Sequence, residues 1–249
     1  MSINSKIEWT ETTWNPITGC TKISDGCKHC YAAVLAHRLH AMHNPRYNNE
    51  FKVTIHEDLI KKPMDWKKPQ MIFVNSMSDL FHEEVPDDII IKIFDTMNSC
   101  PQHTFQILTK RPERLDKLNE KLNWTHNIWM GVTIESTKYL YRANFLRKTS
   151  AYIKFISAEP LLEDISSINL ENINWLIVGG ESGPGCRPIK KEWVESLQKI
   201  AKNNGTAFFF KQWGGVNKKM TGKLLNGEIV QEYPIGLSPY HKRCPDIKN

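Results

Sequence analysis

Six apolar runs recur between residues 71 and 215, and each ends in polar or small residues. They are MIFVNSMSD (71–79), TFQILTKRPE (104–113), NIWMGVTIES (127–136), YIKFISAEP (152–160), NWLIVGGESG (174–183) and AFFFKQWGG (207–215). The runs are nearly continuous in apolar or β-branched residues and do not alternate with polar ones. This pattern is typical of strands that are buried on both faces of a parallel sheet.

Segments with helical character separate these runs. They are residues 87–97, 111–122, 137–147 and 190–202, and a further helix is predicted at 31–43. Repeated strand–helix units favour parallel pairing with right-handed crossovers. With a short first strand at residues 7–9, they predict an α/β fold, a partial (β/α) barrel of about six or seven parallel strands. An open doubly wound sheet is the alternative.

The chain changes character after residue 215. The strand–helix alternation stops there, and the stretch KLLNGEIV has Asn226-Gly227, a hairpin signal, at its centre. We therefore predict a barrel domain over residues 1–215 and a C-terminal hairpin and tail over residues 216–249. Residues 44–70, rich in Asn, Lys and Pro, are interpreted as an irregular insertion.

Polar side chains follow each of the six strands predicted between residues 71 and 215. The carboxyl ends of the strands meet at one common mouth, which these residues would line: Asn75, Ser76, Ser78, Asp79, Thr109, Lys110, Arg111, Thr133, Glu135, Ser157, Glu159, Glu181, Ser182, Lys211 and Gln212. Helix capping explains the small polar residues among them. It does not explain Lys110, Glu159, Glu181 and Lys211, which come directly off apolar strands and are candidates for substrate or cofactor contact.

Three cysteines, Cys20, Cys27 and Cys30, lie in the loop CTKISDGCKHC with C-x6-C-x2-C spacing. Three thiolates on one loop can bind a single metal centre. An iron–sulfur cluster usually takes four thiolates, so three leave one position open, as in a reactive centre. A structural zinc site with His29 or His37 as the fourth ligand is the alternative.

The composition indicates the cellular compartment of the protein and the kind of partner it can bind. Among 249 residues there is no run of eighteen apolar ones and no apolar N-terminal signal segment, so we expect a cytoplasmic protein that does not enter a membrane. In a reducing compartment six cysteines are expected as ligands or free thiols. The net charge of +6 is compatible with an anionic partner such as nucleic acid. The basic clusters KKPMDWKKP and YRANFLRK are interpreted as solvated faces.

The cysteine loop on a (β/α) barrel resembles the radical S-adenosylmethionine superfamily. The strings IEWTETTWNP, GCKHCYA, VNSMSDLF, QILTKRPERL, GVTIES, ISAEPLL, VGGESGPG and FFKQWGG look like one branch of it, the phage- and prophage-associated three-cysteine family. The resemblance covers roughly residues 3–215. It implies that Cys20, Cys27 and Cys30 hold a 4Fe–4S cluster whose fourth iron binds S-adenosyl-L-methionine (SAM).

The resemblance also implies a reaction and its partners. Reductive cleavage of SAM would give a 5′-deoxyadenosyl radical that abstracts a hydrogen atom from the substrate. The phage association directs the expected substrate toward a nucleic-acid base or nucleotide, and the electron would come from a reductase or a flavodoxin-type donor. The rival hypotheses are a zinc-stapled, non-catalytic nucleic-acid-binding module and an electron-transfer or scaffold protein that keeps a cluster.

The resemblance assigns site residues as follows. The superfamily's Gly-Gly-Glu segment normally follows the second strand, but here it comes late, at 179–181. Contacts to the methionine part of SAM therefore fall to Asn75, Ser76 and Asp79, and contacts to the ribose fall to Thr133 and Glu135. Glu181 is placed near adenine or substrate. Lys110, Glu159 and Lys211 are assigned to substrate handling or proton transfer.

Overall fold

The apolar runs form the strands of one parallel sheet. A computed structural model describes residues 5 and 7–234. In this part of the chain the strands are β1 (Thr12–Trp14), β2 (Ile17–Thr18), β3 (Thr54–Ile55), β4 (Met71–Val74), β5 (Thr104–Thr109), β6 (Ile128–Thr133), β7 (Ile153–Ala158), β8 (Trp175–Gly179), β9 (Ala207–Gln212), β10 (Leu224–Leu225) and β11 (Glu228–Ile229). The predicted runs are confirmed, and their polar ends lie in the last residues of the strands or just beyond them.

The helices lie between the strands as the pattern predicts. Within the described residues they are α1 (Tyr31–Ala41), α2 (Glu57–Ile60), α3 (Asp87–Asn98), α4 (Pro112–Leu118), α5 (Arg142–Lys148), α6 (Lys191–Asn203) and α7 (Lys218–Thr221). Helix α3 begins with two aspartates, whose charges are favourable at the positive end of the helix dipole. Helix α4 begins on a proline. Proline has no backbone N–H, and the first N–H groups of a helix have no intrahelical acceptor, so proline is well suited to this position. None of these helices is long and apolar enough to cross a membrane.

The sheet is a barrel wall that does not close on itself. Among the described residues its seven strands stand in the order β1-β4-β5-β6-β7-β8-β9, and every neighbouring pair is parallel. Helices α3 to α6 all pack on one face, in one continuous hydrophobic cluster. A doubly wound sheet would carry helices on both faces. The partial barrel is therefore the correct prediction.

The other face of the sheet is the inside of the barrel, and its lower part is aromatic. The cluster there contains Trp9, Met71, Phe73, Trp129, Ile153, Phe155, Trp175, Ile177 and Phe209. A Cβ atom at Gly131 would lie 2.4 Å from the ring of Phe155, so this glycine makes room for the ring. The aromatic cluster fills the barrel below, and the polar groups that the sequence predicts for the mouth lie above it, at the strand ends.

The segment after the hairpin connects the two edges of the sheet. Backbone bonds join residues 230 and 232 to β9, and Gln231 Nε2 donates to Glu8 Oε2 at 3.2 Å. The Tyr233 hydroxyl also donates to the carbonyl oxygen of Glu8, and its ring contacts Trp175 and Phe209. These contacts link the β9 edge to the N-terminal segment that precedes β1.

Three further predictions can be compared with the structure. The first strand was placed wrongly at residues 7–9, because it lies at β1, where Thr12 to Trp14 pair with β4. The hairpin is confirmed: β10 and β11 are antiparallel, and Asn226 and Gly227 both have positive φ angles. Residues 44–70 contain β3 and α2 as well as irregular backbone. The boundary at 215 remains a prediction, and residues 235–249 of the tail lie outside the described residues.

Candidate active site

The cysteine loop crosses the carboxyl end of the sheet. It leaves β2 at Gly19, which bridges to Ser78 just after β4, and it ends at Cys30, the residue before helix α1. Cys27 ends a short 3-10 turn within the loop. The three thiols are free and half-buried. The loop therefore lies over the mouth that the strand ends form.

The first anchor of the loop is the buried guanidinium of Arg111, beyond the end of β5. Its Nη1 donates to Asp79 Oδ2 at 3.1 Å and contacts the Cys20 sulfur at 3.6 Å. Its Nη2 donates to Thr21 Oγ1 at 2.9 Å, and its Nε donates to Glu83. Asp79 also accepts from the Thr109 hydroxyl and from the Lys110 backbone N–H. Arg111 thus joins the start of the cysteine loop to two strand ends.

A buried histidine supports the same end of the loop. The backbone N–H of Glu84 donates to His82 Nδ1 at 3.1 Å, which assigns the ring proton of the neutral tautomer to Nε2. That Nε2 lies 2.9 Å from Thr21 Oγ1. Burial lowers the pKa of His82, and the cationic Arg111 lowers it further, so the ring is neutral near pH 7.

The second anchor is Glu135, whose side chain is fully buried beyond the end of β6. One carboxylate oxygen accepts from the Ser24 hydroxyl and from the Gly26 N–H. The other accepts from Arg142 Nη1 at 2.9 Å, and the same nitrogen donates to the Thr133 carbonyl oxygen. The middle of the loop is therefore held by a buried ion pair.

The third anchor is Glu181, beyond the end of β8. It lies 3.2 Å from His29 Nδ1, and it accepts from Arg187 Nε at 2.8 Å. Arg187 also donates to the carbonyl oxygen of Asp25 within the loop. Burial acts to raise the pKa of Glu181, but the hydrogen bonds from Arg187 and His29 lower it to about 2. The end of the loop is thus tied to an ionised carboxylate.

The pKa values of the Cys20 and Cys27 thiols are shifted in opposite directions. Burial raises the pKa of Cys20 to about 11, with Asp79 adding to the rise, although Arg111 opposes it. Burial also acts to raise the pKa of Cys27, but the ammonium of Lys110 and a hydrogen bond with Ser24 outweigh it and lower the pKa below its ordinary value. Cys27 is therefore the readier of the two to become a thiolate ligand.

The chemistry of the donor set fits an iron–sulfur cluster. Three reduced thiols on one loop, with an arginine beside the first and a lysine near the second, supply soft anionic ligands with compensating charge. Within residues 5 and 7–234, no three His, Cys, Asp or Glu side chains are already gathered closely enough to hold a metal ion. A bound cluster would therefore have to draw the three sulfurs together.

The histidines of the zinc alternative face carboxylates. His29 Nδ1 lies beside Glu181, and His37 Nδ1 lies 3.5 Å from Glu50 Oε2. Neither ring nitrogen Nδ1 is directed at the three sulfurs. A carboxylate on Nδ1 leaves Nε2 free to bind a metal, as in many zinc sites, so these contacts by themselves do not decide between zinc and a cluster.

The three residues assigned to substrate handling lie inside the barrel, above the aromatic cluster. Lys211 Nζ and Glu159 Oε1 form an ion pair at 2.7 Å, and Trp9 Nε1 donates to the second oxygen of Glu159 at 3.3 Å. A Cβ atom at Gly179 would lie 2.8 Å from Glu159, so the glycine leaves space for this carboxylate. Lys110 stands apart from this pair, and its Nζ donates to Thr133 Oγ1.

The remaining predicted contacts are Asn75 and Ser76. Asn75 has a φ of +58° and accepts the Ile17 N–H through Oδ1, while its buried Nδ2 has no hydrogen-bond partner among the described residues. The Ser76 hydroxyl donates to Asn15, and its carbonyl oxygen accepts from Tyr31. Of these two residues, Asn75 is the one with an unused buried donor near the mouth.

The arginines that complete the anchors are not evident from the sequence. The pattern marks Arg111 only as a strand-end residue and gives no signal for Arg187. Arg142 was wrongly read as part of a solvated face, because it is 1% exposed. A single sequence offers one signal for it: Arg142 lies seven residues after Glu135, close enough for a strand-to-helix connection to pair them.

Comparison with known proteins identifies the family. Residues 4–234 match the family described as Protein of unknown function (DUF5131). The chain belongs to this family. A search of curated proteins gives no match.

Two solved structures are similar to the chain in part. One is spore photoproduct lyase complexed with dinucleoside spore photoproduct, at 12% identity and a TM-score of 0.49, over 79% of this chain and 62% of that chain. The other is a doubly substituted mutant of spore photoproduct lyase with bound AdoMet and dinucleoside spore photoproduct, at 11% identity and a TM-score of 0.46, over 76% of this chain and 60% of that chain. This DUF5131 chain spans about three-fifths of those chains, and similarity at this level does not transfer an activity.

A methyl group at Gly26 should disturb the second anchor. The Cβ of Gly26→Ala would lie 2.8 Å from Glu135 Oε1. Because both groups are fixed, we expect a loss of about 1–3 kcal/mol in the free energy of unfolding, measured by urea denaturation. Lys28→Ala, an exposed change on the same loop, should stay within about 0.5 kcal/mol of the parent. Equal stability of the two variants would contradict the contact.

Glu181 of the third anchor should make the free energy of unfolding depend on pH in the acid range. The pKa of Glu181 is lowered from 4.5 to about 2, so its stabilising contribution is present above pH 4.5 and is lost as the pH falls toward 2. The difference in urea midpoint between the parent and Glu181→Gln should therefore shrink as the pH is lowered through this window. A difference that stays constant or grows would show that the carboxylate is not ionised by its partners.

Proposed function

We propose that the protein is a radical SAM enzyme that acts on a nucleic-acid base or nucleotide. Three features support the proposal: the three-cysteine loop, the parallel partial barrel, and the position of the loop across the carboxyl ends of the strands. In barrels of this class the reactive centre lies at that end.

The observation that carries the proposal is the set of three anchors, of which the first two are buried ion pairs and the third joins buried Glu181 to the half-buried Arg187. Each consists of a strand-end carboxylate paired with an arginine: Asp79 with Arg111, Glu135 with Arg142, and Glu181 with Arg187. Each pair also holds a different part of the cysteine loop. Removing ionised side chains from water is costly, so two buried pairs and a third half-buried one around a single loop support a functional role for the position of the loop.

The anchors change the assignment of three predicted cofactor contacts. The carboxylates of Asp79, Glu135 and Glu181 are occupied by donors from the protein, so we assign them to positioning the loop. Asn75 has the unpartnered buried amide, and we propose its Nδ2 as a donor to the SAM carboxylate. Thr133, which already interacts with Lys110, remains the proposed ribose contact.

The thiols of Cys20, Cys27 and Cys30 are proposed to hold the 4Fe–4S cluster. When bound, the cluster supplies the electron that cleaves SAM to methionine and a 5′-deoxyadenosyl radical. The protein's part is to place the substrate and to keep water away from the reacting atoms. The aromatic cluster closes the barrel from below, and the cysteine loop covers it from above.

We propose that the substrate binds among the polar side chains that lie between the aromatic cluster and the cysteine loop. Lys110 makes no ion pair among the described residues, so its ammonium can bind an anionic group such as a phosphate. Lys211 and Glu159 can together bind the donor and acceptor edge of a base, and a proton can move between them and the substrate. The net charge of +6 is compatible with such a substrate.

Anaerobic preparation tests the proposal. After reconstitution with iron and sulfide, we expect a brown protein with about four irons and about four sulfides per chain. On reduction with dithionite in the presence of SAM it should release 5′-deoxyadenosine. A colourless protein that holds one zinc would favour the zinc-stapled module, and a brown protein without deoxyadenosine would favour the electron-transfer or scaffold hypothesis.

A further inference from the structure

A groove with a volume of about 710 Å³ lies along helix α4. Its lining includes Ile23 of the cysteine loop, Tyr141 just before helix α5, and Lys121 in the 3-10 turn that follows α4. Six cationic side chains line it, at positions 110, 111, 114, 117, 121 and 142, against three carboxylates. The groove therefore carries an excess of positive charge beside the cysteine loop.

The lysines of the groove keep charge that the fold does not neutralise. The three arginines of the lining are each paired with a carboxylate of the chain. Lys110 and Lys117 are in no ion pair among the described residues. Lys121 Nζ lies 3.8 Å from Asp87 Oδ2, but both side chains are exposed, and such pairs contribute little. Three ammonium groups are thus available to the negative charges of a ligand.

The cations beside helix α4 form a row. Arg114, Lys117 and Lys121 follow one another at i, i+3 and i+7, the spacing of one helix face. At a rise of about 1.5 Å per residue, Lys117 and Lys121 are separated by roughly 6 Å along the axis. Cations in a row can follow the phosphates of a nucleic-acid strand, whereas a single phosphate group is held by cations that converge on one point.

An exposed aromatic ring lies beside this row. Tyr141 lines the groove and is 42% exposed, and the ring of Phe145 packs against it edge to face at 6.4 Å. A base can stack on such a ring while its phosphates contact the lysines, which is how single-stranded nucleic acid is bound without sequence preference. A protein partner would need an apolar centre, but the only aliphatic side chains of the described lining are Ile23 and Leu118.

The groove meets the barrel mouth at Lys110. This residue lines the groove, and its Nζ donates to Thr133 Oγ1, at the carboxyl end of β6, at 3.3 Å. Arg111, the next residue along the chain, also lines the groove, and it contacts the Cys20 sulfur. A strand that lies in the groove would therefore bring its next nucleotide to the mouth.

We propose that the groove along helix α4 binds single-stranded nucleic acid next to the reacting nucleotide. Lys110, Lys117 and Lys121 contact successive phosphates, and Tyr141 stacks on a base. The inference rests on the proposed function and narrows its substrate class to a nucleotide within a polynucleotide, as opposed to a free nucleotide.

The first test measures binding of a fluorescein-labelled single strand of about twelve nucleotides, as DNA and as RNA, to the anaerobically reconstituted full chain. Lys117→Glu reverses one charge of the row, and Lys199→Glu is the matched control, an exposed lysine of helix α6 outside the groove. We expect the Kd from fluorescence anisotropy to rise about fivefold or more in Lys117→Glu, with a slope of log Kd against log salt that is lower by about 1. The control should match the parent.

The second test concerns the stacked base. Tyr141→Ala should raise the Kd for the strand about fivefold or more, because one base loses its stacking partner. Tyr152→Ala is the matched control, since Tyr152 is 53% exposed and packs on the ring of His126, just before the amino end of β7. Its Kd should equal that of the parent.

Competition experiments separate a polynucleotide from other anions. Deoxythymidine monophosphate should displace the labelled strand only at a concentration about a hundredfold or more above that of an unlabelled strand, because it makes one phosphate contact. The proposal is overturned if the monophosphate or polyglutamate competes as well as the strand, if the parent binds neither DNA nor RNA, or if the groove variants and their controls have equal Kd values. Deoxyadenosine release with dithionite in the same preparation tests the proposed function separately. If the parent releases none, the proposed function fails, and the Kd comparison still decides whether the groove binds nucleic acid.

Discussion

Replacing Cys27 with alanine should leave the reconstituted protein without a complete cluster and reduce deoxyadenosine formation to background. Cys27 is the thiol whose pKa is lowered by Lys110 and Ser24, so it is the one best prepared to bind iron as a thiolate. With two thiols left, the cluster loses one of three protein ligands. The expected iron and sulfide content is therefore well below about four per chain.

Cys100→Ala is the matched control for this prediction. Cys100 is buried in the hydrophobic cluster on the helix side of the sheet, away from the cysteine loop. Its replacement can lower stability by removing packing, but iron and sulfide content should remain at the parental level. The proposal would be wrong if Cys27→Ala kept both the iron and the cleavage of SAM.

Replacing Glu135 with alanine should cause the largest loss of stability at the site. Glu135 and Arg142 are buried, with exposures of 0% and 1%, and the carboxylate is the ion-pair partner of the guanidinium. Removing one member of a buried pair leaves the other charge uncompensated, at a cost of about 3–5 kcal/mol. The free energy of unfolding, measured with urea, should fall by this amount, while Glu113→Ala at an exposed position should change it by less than about 0.5 kcal/mol.

A double variant separates the stability of the pair from its role as an anchor. Glu135→Leu with Arg142→Met replaces both charges by apolar groups, and such replacements of buried pairs are often neutral or stabilising. We expect most of the lost stability to return. The bonds to Ser24 and Gly26 stay lost, however, so the iron content after reconstitution should remain low. Full iron content in the double variant would show that Glu135 does not hold the loop.

The barrel could be predicted from the sequence because its strands are buried on both faces. Near-continuous apolar runs such as those of β6 and β8 leave little choice of structure, and the intervening helices fix parallel pairing. The short strand β1 could not be found in this way. It reads TTW, and it becomes a strand only through its pairing with β4.

The residue types at the site were predictable, but their partners were not. The sequence places carboxylates at the strand ends, but it does not show that Asp79, Glu135 and Glu181 meet arginines 32, 7 and 6 residues away. A charge that looks solvated in a basic stretch, as Arg142 does, can be neutralised by a contact that only the fold creates. The oxygen atoms of these acids are engaged by arginines, and a single sequence does not show this competition with a cofactor.

The three arginine–carboxylate anchors have a consequence for how the protein would survive oxygen. In many small metal sites the metal itself organises the surrounding chain, and its loss unfolds the site. Here the path of the cysteine loop is held by side chains that contain no metal. If the protein carries the proposed cluster, we expect its oxidative loss to leave the path of the loop in place, so that iron and sulfide can be restored without refolding.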